Sequence, residues 1–497
     1  MFNLAAHVLA RGQDTPDKIA LAVLGLTGTD RWSYGRLIAA VRGCGSWLAT
    51  MGEPGDRVLL RLGNTPAFPL AYLGAIAAGM VPVATSPLLT APEIARIAAL
   101  IHPRLTLAEP GIAVPDGPVW DADTRLWEAA APCDWHMGDA DREGYVVFTS
   151  GTSGVPLAVR HAHRAILARA MMHQGWEGLT AQDRLLHMGA FNWTYTMGTG
   201  LLDPWTLGAT ALIADARVAQ DQLPHLMNRH DATILAATPA HFRRLLRQNL
   251  PALPHLRHAL SAGEALPPAL RAEWRARTGT DIHEALGMSE LSTFISGSPD
   301  RPAPEGASGF PQTGRRIAVL GPDGQPLPPG EIGVLAVATS DPGLMLGYAD
   351  HTPPDGPWFA TGDLVHQDWV GAIHFHGRTD EMMNPGGIRV SPREVEQALQ
   401  GLPGVTDLAV AEVAVAGGGR VIACFYAGQP LPEGTGPAFA ADRLARYKQP
   451  RLWVHLIALP RSATGKIDRR GLADLLPMEL ARNDPRDDPR DDPNHPP

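Results

Sequence analysis

From the N-terminus to about residue 370, short apolar runs alternate with stretches that have helical spacing, and this rhythm restricts the fold more than any other feature. RVLLRL (57–62) reads as a strand. TPAFPLAYLGAIAAG (65–79) reads as a helix closed by glycine, and VPVAT (81–85) as the next strand. YVVFTS (145–150), TALIA (210–214), ATILAATP (232–239) and HALSAG (258–263) repeat the pattern, each leading into helix-forming sequence. Strands separated by helices pair in parallel, because the crossover returns the chain to the same edge of the sheet, so the expected class is α/β with parallel-rich sheets. Between 306 and 376 the strands RIAVL (316–320), IGVLAVAT (332–339) and AIHFHG (372–377) are spaced by Gly/Pro turns, as in a small antiparallel subdomain. A helix at 391–401 and strands at 407–416 and 420–427 then form a compact α+β unit with its own core. The expected division is a large domain over 1–379, a small one over 380–476, and a disordered acidic, proline-rich tail over 477–497.

Composition removes several classes of function. Apolar residues are 45% and charged residues 19%, as in a globular chain. The most apolar segment, 67–86, is interrupted by Gly74, Gly79 and Pro82, so no membrane span is expected. The N-terminus lacks the basic head of an export signal, and Cys44, Cys133 and Cys424 are scattered, which fits a reducing cytoplasm. A net charge of −9 argues against nucleic acid as a partner. Only Lys18, Lys448 and Lys466 are lysines among 42 basic residues, so a lysine inside a motif draws notice.

Tyr145–Arg164 carries the strongest chemical signal. A buried-type strand runs into Thr149, Ser150, Gly151, Thr152, Ser153 and Gly154. Glycines let such a loop wrap closely, and its N–H groups and hydroxyls suit a phosphate, although the segment is not the GxxxxGK[ST] loop. Further along lie Gly263–Pro267 (GEALP), Leu286–Glu290 (LGMSE), Thr361–Leu364 (TGDL), Gly377–Asp380 (GRTD), Gly386–Pro392 (GGIRVSP) and Pro460–Asp468 (PRSATGKID). In this order the set resembles the adenylate-forming superfamily of acyl-CoA synthetases, adenylation domains and luciferases, and most resembles the benzoate-type acid–CoA ligases.

The resemblance implies an ATP-dependent, AMP-forming ligase. Its substrates are a small carboxylic acid, ATP and coenzyme A, and it uses Mg2+. Thr149–Gly154 would hold phosphate, Gly263 and Glu264 would flank the adenine, Glu284 would accept from its amino group, and Ala265, Leu286, Gly287 and Ser289 would join them in binding ATP and AMP. Asp363 and Arg378 would contact ribose. Glu290 would bind the metal and Lys466 would contact the reacting carboxylate and phosphate. Asp380 would be the hinge on which the small domain turns, exposing Gly386 and Gly387 as the channel for the arm of coenzyme A. A monomer and a homodimer both stay open.

Phe191, Asn192, Trp193 and Tyr195 fall where relatives build the acid pocket. The stretch is aromatic and uncharged, and Asn192 replaces the aspartate that holds an amino group in peptide-synthetase domains, so an aromatic or short hydrophobic monocarboxylate is expected. His161, His163, His374 and His376 form HxH pairs with no further ligands beside them in the sequence, and are read as structural. Two departures stand out. Leu157 occupies the place of the lysine that usually follows the phosphate loop, with Arg160 a candidate substitute, and Leu286 replaces a stacking tyrosine. Two other readings stay open: an enzyme that loads a carrier protein, and a catalytically impaired ligand-binding homologue.

Overall fold

The computed structural model describes the chain except residues 150–156, 216, 350–353, 380–381, 384–389, 416–419, 462–466 and 477–497. The chain divides into two compact units. The first comprises residues 1–318, 337–359 and 369–373, and the second residues 319–336, 360–368 and 374 onward.

The first unit holds two large sheets. In the seven-stranded sheet the order is Gly347–Tyr348, Leu157–Ala162, Glu143–Thr149, Val81–Ala84, Arg57–Arg61, Leu105–Ala108, Val119–Asp121. Its last five strands pair in parallel, and Leu157–Ala162 runs antiparallel to both neighbours. The nine-stranded sheet has six parallel strands at its centre, in the order Ile282–Met288, His258–Ala262, Ile234–Ala237, Arg184–His187, Thr210–Ala214, Ile19–Leu24. Antiparallel strands flank this block: Ser292–Ser296 and Phe310–Pro311 on one side, Thr29–Ser33 on the other. The parallel-rich α/β class expected from the sequence is the class observed.

The apolar segment that the sequence reading keeps out of a membrane becomes a core helix. Every residue of Ala67–Ala77 is buried, as expected of a helix that is apolar all round. Small residues let it approach its neighbour Tyr34–Leu48: a Cβ on Gly74 would lie 2.7 Å from the Cys44 side chain. Among the described residues no helix is long and apolar enough to cross a membrane.

The second unit contains most of a four-stranded sheet, in the order Ile317–Leu320, Gly333–Ala338, Trp358–Gln367, Ile373–Arg378. It also contains a three-stranded sheet of Val405–Ala414, Arg420–Gly428 and Leu452–Leu456, with the helix Pro392–Ala398 beside it. Ser391 caps that helix by accepting from the Glu394 N–H at 3.4 Å. Two apolar clusters form this part of its core, one around Phe425 and one around Ile422 and Cys424. The expected tail lies outside the described residues.

Trp274 is fully buried and meets Phe242 edge-to-face at 4.9 Å between the helices Pro239–Leu246 and Pro268–Thr278. Trp274→Ala is expected to cost about 3–5 kcal/mol. Urea unfolding should show a lowered midpoint with an unchanged slope; an unchanged midpoint would contradict this packing.

Candidate active site

The strand Glu143–Thr149 carries the chain to the phosphate-loop motif, and Leu157 pairs opposite Thr149 on the returning strand. Ser150, Gly151, Thr152, Ser153 and Gly154 themselves lie outside the described residues. Arg160 is not free to replace the missing lysine. Its Nε donates to Glu143 at 2.6 Å, and Arg57 binds the same carboxylate at 3.1 Å.

Glu290 lies in the hairpin turn between Ile282–Met288 and Ser292–Ser296, where Met288 faces Ser292. Gly287 is needed there because a Cβ would sit 2.6 Å from the Ser292 carbonyl oxygen. Glu290 is buried, and Tyr348 Oη donates to its Oε1 at 2.9 Å. The Met345 N–H bonds its carbonyl at 2.9 Å, and His161 Nε2 donates to the Ser289 carbonyl at 2.8 Å. Tyr348 pairs with Val159. Tyr348 and His161 therefore tie the Glu290 turn to the strand that leaves the phosphate loop. A single buried carboxylate with oxygen donors suits Mg2+, a hard ion that keeps several waters and completes its shell with substrate phosphates, so the residues present fit that metal.

Among the residues expected near the adenine, Gly263 has φ +95°, a conformation that glycine adopts without strain. Glu264, Ala265 and Leu266 follow it out of the strand His258–Ala262. Glu284 Oε1 accepts from the Leu266 N–H at 3.1 Å, and its Oε2 lies 3.4 Å from Arg271. Glu284 thus fastens this turn. Leu286 lies further along the same strand, opposite Ile295.

In the second unit Arg378 donates to Asp363 at 3.1 Å and to the Thr361 carbonyl at 3.3 Å. Gly362, at φ +81°, lets the guanidinium come close: a Cβ would lie 2.9 Å from it. The motif residues TGD and R are thereby gathered into one acid–base pair. Lys466, Asp380, Gly386 and Gly387 fall outside the described residues.

The residues expected to line the acid pocket divide. Phe191 is core, packed on Phe68 at 5.5 Å. Asn192 Oδ1 is buried with no hydrogen-bond partner among the described residues, and Trp193 is half-buried. Tyr195 directs its hydroxyl at the carbonyls of Leu260 (3.1 Å) and Ala237 (3.3 Å), and its ring meets Trp176 at 5.7 Å and His187 at 4.3 Å. Burial holds the His187 imidazole well below its ordinary pKa, so it is uncharged.

His374 and His376 have more company than the sequence shows. His366 Nδ1 faces His376 Nε2 at 2.7 Å, and His374 meets Asp368 at 3.1 Å. Among the described residues no group of three such donors is arranged to hold a metal. Lys18 donates to the Ala181 carbonyl and Lys448 pairs with Glu394.

A family model described as "AMP-binding enzyme" matches residues 8–349. The chain belongs to that family. It is 31% identical to a 4-hydroxybenzoate–CoA/benzoate–CoA ligase of Rhodopseudomonas palustris over 411 residues, covering 76% of this chain and 75% of the relative. It is 30% identical to a benzoate–CoA ligase of Thauera aromatica over 488 residues, covering 88% and 90%. Among solved structures, a benzoate CoA ligase of Burkholderia xenovorans superposes with a TM-score of 0.84 at 28% identity, covering 95% of this chain and all of that one.

The buried HxH pair yields a pH prediction. Burial first, with nearby positive charge adding to it, lowers His161 to about 4 and His163 to about 3. Below about pH 6.5 the unfolded chain takes up protons that the folded chain refuses, so stability is complete above 6.5 and falls as pH drops toward 4. Each imidazole contributes at most about 1.4 kcal/mol per pH unit. Urea midpoints from pH 7 to 5 should fall, and the fall should be shallower in the double variant His161→Asn/His163→Asn. Identical slopes would remove this account.

Proposed function

We infer that this chain is an ATP-dependent, AMP-forming acid–CoA ligase. The family match carries the inference, together with the way the Glu290 turn is fastened to the strand that leaves the phosphate loop. In the first half-reaction the acid's carboxylate attacks the α-phosphorus of ATP. The bond to pyrophosphate breaks and an acyl-adenylate forms. In the second, the thiol of coenzyme A attacks the acyl carbon, its proton is lost, and AMP leaves. Negative charge on the phosphate oxygens is the main demand of the first step, so preorganised donors and cations supply most of the rate. Bound Mg2+ would supply cationic charge there. Thr149 and the hydroxyls and N–H groups of 150–154 would cradle the phosphates. Asp363 would accept from the ribose hydroxyls and Arg378 would donate. Lys466 would hold the carboxylate against the phosphate, and motion about Asp380 would bring Gly386 and Gly387 to the site for coenzyme A. The free thiols Cys44, Cys133 and Cys424 fit a cytoplasmic enzyme.

The substrate we propose is an aromatic or short hydrophobic monocarboxylate. Tyr195 spends its hydroxyl on backbone carbonyls and contributes its ring, and the segment 189–198 contains no charged residue. Burying an ammonium or a second carboxylate there without a partner costs several kcal/mol, more than a hundredfold in rate. The relatives named as benzoate ligases agree with this choice.

Pyrophosphate release with benzoate, a short aliphatic acid, an amino acid and a dicarboxylate, each with ATP and coenzyme A, tests the class. Benzoate or the aliphatic acid should lead, and thioester should form without any carrier protein. Preference for the amino acid or dicarboxylate would overturn the substrate class. Because Arg160 is held by Glu143, Leu157→Lys should lower the KM for ATP or raise turnover, by up to about 10–100-fold. No release with any of the acids, even from Leu157→Lys, would identify a binding protein instead.

Lys466→Ala should slow adenylate formation by roughly 10²–10³-fold, the scale of one preorganised electrostatic contact. Thioester formation from supplied acyl-adenylate should suffer much less. Equal loss in both half-reactions would refute this division of labour.

A further inference from the structure

One buried cation joins the acid-pocket segment to the Glu290 turn. Arg169, in the helix Ala165–Met172, is buried, and its Nε and Nη2 grip the two carboxylate oxygens of Asp203. Nη2 also reaches Thr199 Oγ1 at 3.2 Å, and Nη1 donates to Ser292 Oγ at 2.7 Å. Thr199 and Asp203 follow directly on Trp193 and Tyr195, through the π-helical segment Gly198–Leu202. Gly198 is pressed on the guanidinium so closely that a Cβ would lie 2.0 Å from Cζ. Ser292 closes the hairpin whose turn contains Glu290.

Two observations mark the Ser292 contact as more than packing. Ser292 has φ +70°, a left-handed conformation that costs a serine and that glycine would adopt freely. A hydroxyl kept at such a place points to a use for the hydroxyl. The charges around it are also arranged to keep Arg169 in place. Burial, and then the charge of Asp203, hold the Glu177 carboxyl well above the ordinary range, so it is neutral. Burial alone would raise Asp203, but Arg169 and His173 hold it ionised. Asp203 is thus the anion that balances the guanidinium, and Ser292 is its neutral partner.

We propose that Arg169, acting through Ser292, is a positioning residue that fixes the Glu290 turn and couples it to the acid-pocket segment. The proposal rests on the reading of Glu290 as the metal ligand. Ser292→Gly removes the hydroxyl, which costs stability, and relaxes the backbone, which returns part of it, so it should fold with a urea midpoint at or modestly below the parent's. Ser292→Asn tolerates the left-handed conformation and returns an acceptor oxygen to Arg169. The readouts are Mn2+ affinity of the protein–ATP complex, followed by electron paramagnetic resonance, and the Mg2+ concentration that half-saturates acid-dependent pyrophosphate release.

Ser292→Gly should weaken Mn2+ binding and raise the half-saturating Mg2+ by about 5–20-fold. Ser292→Asn should come back to within about twofold of the parent. Glu290→Gln is the control for the underlying reading. If it loses Mn2+ affinity while Ser292→Gly does not, the positioning role fails and the metal reading stands. If Glu290→Gln leaves Mn2+ affinity unchanged, the metal reading fails and takes the proposal with it. If Ser292→Gly weakens binding and Ser292→Asn does not restore it, the hydrogen bond to Arg169 is not the cause and the proposal is overturned.

Discussion

Parallel strand pairing imposes the constraint from which the rest follows. A parallel sheet sends every strand in the same direction, so the connections that leave its carboxyl ends gather on one edge, and ligands bind along such edges. Four parts of the candidate site are connections of this kind. The phosphate-loop motif leaves Glu143–Thr149 and the acid-pocket segment leaves Arg184–His187. The Gly263–Leu266 turn leaves His258–Ala262, and the Glu290 turn leaves Ile282–Met288. Glu143–Thr149, Arg184–His187 and His258–Ala262 are buried along most of their length and Ile282–Met288 over its first half, which frees the connecting residues from core packing and leaves them available for chemistry.

That arrangement explains what could be read from the chain. Strands such as 57–61, 81–84 and 210–214 are short, apolar and bounded by glycine or polar turns, and they stand out without any partner being known. Motif glycines were legible for a similar reason. Gly362 and Gly263 sit at positive φ, and Gly287 sits against a neighbouring backbone, so each is demanded by its own short segment. Glu290 was legible as a residue but not as a geometry, because a helix start and a hairpin turn both accept Gly-Met-Ser-Glu. The placement of Lys466 and of the glycine pair 386–387 rests on resemblance.

Long-range polar contacts were not legible. Arg169 and Asp203 are 34 positions apart and Arg169 and Ser292 are 123 apart, and no periodic pattern marks them. Glu143, which claims Arg160 and Arg57 together, is equally silent in the sequence. The histidines show the same limit. His374 and His376 look like an isolated pair along the chain, yet the fold places His366 and Asp368 against them. Removing one member of a buried network such as Arg169–Asp203 strands the other in a medium that cannot solvate it, at about 3–5 kcal/mol. Such contacts therefore constrain the fold strongly while leaving almost no trace in local composition.

The near absence of lysine has a chemical meaning in a protein of this kind. Acyl-adenylates are mixed anhydrides, and a primary amine attacks them readily, whereas a guanidinium stays protonated and inert. Lys18 is engaged by a backbone carbonyl and Lys448 by a carboxylate, so two of the three side-chain amines are already occupied by other partners. An enzyme that generates an electrophile of this type presents it with very few side-chain amines of its own. Self-modification during turnover is thereby confined to a handful of positions that a mass spectrum could enumerate.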